Sequence, residues 1–232
     1  MPDHTVKAFD ADLANLTRMV AELHERVEKE LRDSVEALIR NDDDLVKLVL
    51  VLGETSMAVG RDIEANVMLL VTRRQPVAND LRFIIAIWEA AIELNRVSGI
   101  ARSVAKRASA VGNDQPIPQS VVWGLRRITH AALNQLRAIV NSLFHADAMT
   151  AEALSVGDRD IDAIYDSLCR ELLTYITADE PSPLLIHLLF CVKSIESVGE
   201  NVTNIAAAVL YFVHGHHTRW DRENSPETAI QH

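Results

Sequence analysis

Residues 9–38 read FDADLANLTRMVAELHERVEKELRDSVEAL, and in them Phe9, Leu13, Leu16, Val20, Leu23, Val27, Leu31, Val35 and Leu38 recur at intervals of three or four. That period sets all of them on one side of an α-helix and leaves the charges on the other. Outward from this stripe the same rhythm continues. Asp42 to Asp44 interrupt it and offer N-caps for a second helix to about Arg74. Pro76 stops that helix, because proline lacks an N–H and drives the residue before it out of helical geometry. Asn79 and Asp80 cap a third, from about Leu81 to Ala110. The linker VGNDQPIP follows, then helices over Gln119–Phe144, Met149–Thr177 and Pro183–Val213. Eight glycines and seven prolines in 232 residues leave little turn material for sheets. The expected fold is all-α, with six long antiparallel helices. At about 1.5 Å per residue, rods of roughly thirty residues suit bundles.

The two halves repeat each other. ELNRVSGIARSVA from Glu93 and SIESVGENVTNIA from Ser194 superimpose at a shift of 101, which sets Asn95 on Glu196 and Gly99 on Glu200. Pro76 and Pro181, each closing the second helix of a half, lie 105 apart. The chain therefore divides into three-helix units over residues 1–112 and 119–214, with a tail over 215–232. A repeat this long is a duplicated domain rather than a solenoid.

Charge and composition exclude several classes. Apolar residues at 48% and charged residues at 24% are incompatible with wholesale disorder. Thirty-three acids against 23 Lys plus Arg give a net charge of −10, the wrong sign for a nucleic-acid binder. No apolar run reaches the roughly 18 to 20 residues of a membrane span. The start, MPDHTVKAFDADL, carries Asp3, Asp10 and Asp12 and has no secretory h-region. Cys169 and Cys191 have no CxxC spacing, so both are expected as small core hydrophobes in a reduced, cytoplasmic protein.

The chemistry concentrates in the second half. Asp158 and Asp162 stand at i and i+4, as do Glu196 and Glu200. On a helix each pair projects from one face, and two antiparallel neighbours direct four carboxylates at one place. Such a cluster repels itself unless a cation or open solvent relieves it, and hard or borderline metals bound by oxygen provide that relief. Acidic pairs at this spacing are also what ordinary solvated helix faces look like, so spacing alone decides nothing. The remaining candidates read as structural. His214, His216 and His217 form a His-rich tail; His187 and Lys193 read as packing or surface positions; Trp88, Trp123 and Trp220 read as core or interface anchors. Arg73-Arg74 and the Arg102-Lys106-Arg107 set suggest a basic surface on the first half, fit for an acidic partner. GxxxxGK[ST] and a strand-linked GxGxxG are absent, and no histidine has a glutamate three residues before it, which removes the ferritin-like di-iron motif.

The phrases VTRRQPVANDLR from Val71, DRDIDAIYDSLCRELLTYITAD from Asp158 and HLLFCVKSIESVGENVTNIA from His187 resemble the PhoU family of phosphate-signalling proteins. The resemblance runs from Thr5 to the VLYFVHG at Val209, and its most specific parts are Arg74-Gln75-Pro76 and Leu172 to Tyr175. It implies two pseudo-symmetric three-helix bundles and an acidic E/D-x-x-x-D motif, twice per repeat, that holds multinuclear metal clusters in some members. Carried over, Asp158, Asp162, Glu196 and Glu200 are the metal-ligand candidates, with glutamate at the last position where aspartate is usual, Ser197 where an arginine is usual, and Asn201 after the last acid. In the first half Gly53 and Met57 replace one acidic pair and Asn95 and Gly99 the other, with Glu54 a substitute only if the register slips. A thioether does not replace an anionic oxygen for a hard cation, so one metal-competent face is expected, holding a divalent or iron-type ion.

The resemblance implies a cytoplasmic, non-enzymatic negative regulator of phosphate uptake and of the phosphate-starvation response. It would act as an adaptor between the ATPase of a phosphate ABC transporter and a membrane sensor histidine kinase, commonly as a homodimer, recruited to the membrane through those partners. The alternatives are a metal-binding or metal-storing helical protein or metallohydrolase using the four second-half carboxylates, and a paralogue with altered partners. A hydrolase would further need a general acid or base and an enclosed pocket.

Overall fold

The computed structural model describes residues 2–110, 116–157, 159–178 and 183–216, and among them every regular element is helical. The first half holds α1 (Pro2–Arg40), α2 (Asp43–Arg74) and α3 (Ala78–Ala110). The second holds α4 (Gln119–His145), α5 (Ala148–Ser155), α6 (Arg159–Ala178), α7 (Pro183–Glu196) and α8 (Val198–His214). The eight segments form six rods, since α5 continues into α6 and α7 into α8. In the first half each helix packs on the other two. In the second, α5 lies along α8, α6 along α7, and α4 against the rest.

Local chemistry sets most ends. The Asp42 carboxylate accepts from the Asp44 and Leu45 amides (3.1 and 3.0 Å) and caps α2. Gln75 turns left-handed (φ 49°), its N–H reaching the Val71 carbonyl at 3.0 Å before Pro76. The third helix begins at Ala78, so Asn79 and Asp80 stand inside its first turn and not ahead of it.

Two long helices expected from the sequence are interrupted. The fifth breaks at Gly157 (φ 83°), a conformation that costs glycine little. Asp147 separately caps the short α5 through the Thr150 amide. The sixth breaks at Ser197. There the Glu200 N–H bonds the Ser197 carbonyl at 3.2 Å, a tightened three-residue step, and the buried Asn201 amide also donates to that carbonyl at 2.9 Å. Glu196 thus ends α7 while Glu200 lies in the first turn of α8, so the pair does not share one continuous helix.

One apolar core runs through both halves, from Leu16, Val20, Leu23, Val27, Leu31, Val35 and Leu38 on α1 to Val202, Ile205 and Val209 on α8. Each fully buried leucine, isoleucine or valine contributes about 1.5–3 kcal/mol. The halves join through α3 against α7 and α8, and through α1 against α4. Phe83 meets Phe212 with ring centroids 5.2 Å apart, and the Arg107 guanidinium sits over the Phe190 ring at 4.6 Å. Along the α1–α4 seam Glu36 accepts from Arg126 Nε and Nη2 (2.8 and 3.0 Å), and Glu28 from Arg137 Nη2 (2.9 Å).

Cys191 is fully buried and Cys169 half-buried against the core. Trp88 packs on the core, whereas Trp123 is 66% exposed and is no core anchor; Trp220 lies outside the described residues. No described helix is long and apolar enough to cross a membrane.

Candidate functional site: a carboxylate pocket and its altered counterpart

Because α5–α6 and α7–α8 run side by side, their two breaks face each other, and Gly157 and Gly199 line a single pocket of about 140 Å³. Asp162, Glu196 and Glu200 line the same pocket, with Gln135 of α4 and Thr203 of α8 in its wall. The structure therefore brings together three of the four expected acids; Asp158 lies outside the described residues. Asp162 and Glu200 are exposed and Glu196 is half-buried. Lys193 donates to Glu196 Oε2 at 2.6 Å and stands 5.4 Å over the Tyr165 ring. That carboxylate is the main reason the Lys193 ammonium holds its proton above the usual lysine range.

The donor types suit a hard divalent cation, since residues bearing carboxylate, amide and hydroxyl oxygens line the one pocket. Their present placement is looser than a formed site. Among the described residues no three acidic, histidine or cysteine side chains converge closely enough to hold an ion, and Lys193 occupies Glu196. An ion on Glu196 must displace that ammonium.

The corresponding face of the first half is built differently. Arg102 of α3 lies across Gly53 of α2, and its Nη1 contacts the Met57 sulfur at 2.6 Å. Asn95 is folded over Gly60, and Gly99 is exposed with open space above its Cα. Glu54 points outward. Behind this face the fully buried Glu30 carboxylate accepts from the Ser56 hydroxyl of α2 and the Ser98 hydroxyl of α3, tying all three helices together. Burial pushes its pKa up, and the two hydroxyls, Arg102 and Arg26 pull it back. The sequence reading did not single out Glu30. Its signal was phase: Glu30 falls in step with Val20, Leu23 and Val27 on the apolar side of α1.

The other candidates are dispersed. Of the basic set, Arg74 is held by Asp12 (Nη2–Oδ2 3.0 Å), Arg102 is turned onto α2 and Arg107 onto Phe190, while Arg73 and Lys106 are exposed. His214 approaches Glu152 at 3.6 Å and stacks with His216, while His217 lies outside the described residues.

The PhoU domain family model matches the chain twice, over residues 20–108 and 125–209. The chain belongs to the PhoU family. A phosphate-specific transport system accessory protein PhoU homolog of Rhizobium meliloti is 34% identical, covering 97% of this chain and 95% of that protein. The crystal structure of PhoU from Pseudomonas aeruginosa superposes with a TM-score of 0.82 at 29% identity, covering 90% of this chain and all of that one. A phosphate transport system regulatory protein PhoU from Streptococcus pneumoniae, at 20% identity and a TM-score of 0.81 over 90% of this chain and 99% of that one, shares the PhoU fold.

Proposed function

We propose that this PhoU-family chain is an accessory protein of phosphate transport. In this reading it is a non-enzymatic, cytoplasmic adaptor that couples a phosphate ABC transporter's ATPase to a membrane sensor histidine kinase and restrains phosphate uptake and the starvation response. The observation that carries the reading is the collinear match to the R. meliloti accessory protein over nearly the full length of both chains. Long rigid rods sharing one core suit docking, because such a body presents fixed faces to two partners at once. Two copies acting as a homodimer fit the same scheme.

The second-half pocket supports a metal-tuned version. Asp162, Glu196 and Glu200, with Asp158 as the fourth candidate, would hold a hard divalent or iron-type ion. Such an ion supplies positive charge that removes carboxylate repulsion. The chain's own part is to set three oxygen donors around the paired helix breaks and to keep Lys193 as the resident counter-charge when no ion is held.

Gene deletion tests the regulatory reading. Phosphate-responsive transcription becomes constitutive if the protein restrains the starvation response, and an unchanged response assigns it to other partners. Pull-down of kinase and ATPase components with the Glu196→Lys, Glu200→Lys variant separates the metal from docking. Capture retained with metal binding lost makes the ion incidental to partner binding.

A further inference from the structure

The offsets of 105 and 101 separating the repeated sequence phrases also separate the starts (20 and 125) and the ends (108 and 209) of the two family-model matches. Applied to the second-half pocket, the offset of 105 sets Glu30 on Gln135 and Ser56 on Ile161, and the offset of 101 sets Ser98 on Gly199 and Arg102 on Thr203. Four residues of the carboxylate pocket thus coincide with Glu30, Ser56 and Ser98, which share hydrogen bonds, and with Arg102, which lies over Gly53. Charge is inverted between the two. The second half has acids at the mouth and a neutral amide behind them. The first has neutral Gly53, Met57, Asn95 and Gly99 at the mouth, an acid behind, and a guanidinium across the face.

We propose that the first half carries its own cation here: the Arg102 guanidinium, with the buried Glu30 carboxylate behind it, lies over Gly53 and Met57, the sequence counterparts of Asp158 and Asp162, so that only the second half takes up a soluble divalent ion. Geometry makes the two arrangements exclusive. A Cβ at position 53 would come within 2.7 Å of Arg102 Cγ, so any side chain there, an acidic one included, forces Arg102 out of its observed position. Energetics supplies the reason for Glu30. A carboxylate with no exposed surface is expensive unless paired and hydrogen-bonded, and this one has two hydroxyl donors, with Arg102 and then Arg26 as the positive charges that lower its pKa through space. The Arg102–Glu30 assignment stands without any metal; the contrast between halves rests on the metal reading of the second-half pocket.

The test is a double-mutant cycle followed by melting in chelator. Arg102→Thr, matching Thr203, should lower Tm by about 5 °C, since each 1 kcal/mol moves Tm by about 2–4 °C at this chain length. Adding Glu30→Gln, matching Gln135, should recover at least half of the loss. Millimolar guanidinium should raise the Tm of Arg102→Thr and leave the unmodified protein unchanged. A Tm within about 1 °C of wild type for Arg102→Thr, or strictly additive effects in the double variant, overturns the proposal. If Arg102→Thr does not fold, a folded double variant supports it and an unfolded one overturns it. Calorimetric titration with Mn²⁺ is read separately. One ion per wild-type chain, and a second in Gly53→Asp, Met57→Asp, Arg102→Thr, are expected. Two ions in wild type refute the contrast, and none refutes the second-half metal reading while leaving the melting result to judge Arg102.

Discussion

Replacing Lys193 with glutamine should tighten divalent-ion binding at the second-half pocket by roughly five- to tenfold. Lys193 is bonded to Glu196 at 2.6 Å with its side chain 54% exposed, so any ion that uses Glu196 must first break this bridge. An exposed pair of this kind contributes about 0.2–1 kcal/mol. The displaced ammonium then still repels a doubly charged ion through a water-like dielectric, which adds about as much again. Together these give about 0.4–2 kcal/mol, with about 1–1.4 kcal/mol in the middle of that range, and 1.4 kcal/mol is about tenfold in affinity. The assay is calorimetric titration of chelator-stripped protein with Mn²⁺ at fixed ionic strength, because salt screens the repulsive part. Tightening should shrink as salt rises. Glutamine leaves the packing of the lysine stem largely in place, so melting should hardly move. Affinity unchanged or weakened in Lys193→Gln would refute the reasoning, since it would mean that Glu196 is not a ligand.

Other outcomes follow from the packing and the titrating groups. Gly124→Ala should destabilise by about 1–2 kcal/mol despite alanine's better helix propensity, because its Cβ would lie 2.8 Å from Leu168 Cγ; in a Leu168→Ala background the same change should be neutral or stabilising in urea melts. Hydrogen bonds from Arg126 hold the Glu36 carboxyl below its usual range, so its stabilisation is full above the unfolded-state pKa and is lost as pH falls through the lower folded value. Glu36→Gln should therefore flatten the acid limb of a stability–pH curve, by about 1 kcal/mol at neutral pH. Burial raises the Cys191 thiol to about 12, so a thiol reagent at mildly alkaline pH should leave it unlabelled until the chain unfolds.

The apolar stripe of α1 was legible because it repeats over eight turns, and its members from Leu16 to Leu38 are all buried. The duplication was legible for the same reason: two phrases on corresponding helices need only be compared. The breaks were not. Gly157 gave a local cue, but Ser197 is a poor predictor of interruption, and its tightened turn is settled by the rods packed around it. Of the expected site, Asp162, Glu196 and Glu200 meet at one pocket, whereas the Lys193 bridge depends on rotamers that no spacing encodes. Glu30 shows the opposite case. Its apolar-phase position marked it as buried among the neighbouring Glu25 and Glu28, but what compensates it comes from Ser56 and Ser98, distant in sequence and visible only once three helices are assembled.

The unbroken core has a consequence for how such a duplicated protein diverges. With α3 seated on α8, neither copy owns a complete interior, and severing the chain near residues 111–118 would strip both of a wall. Gene halves bound in this way cannot drift apart as independent modules. They change instead by matched substitutions around a shared interior, as where a buried Glu30 with its two serines in one copy answers to Gln135, Ile161 and Gly199 in the other.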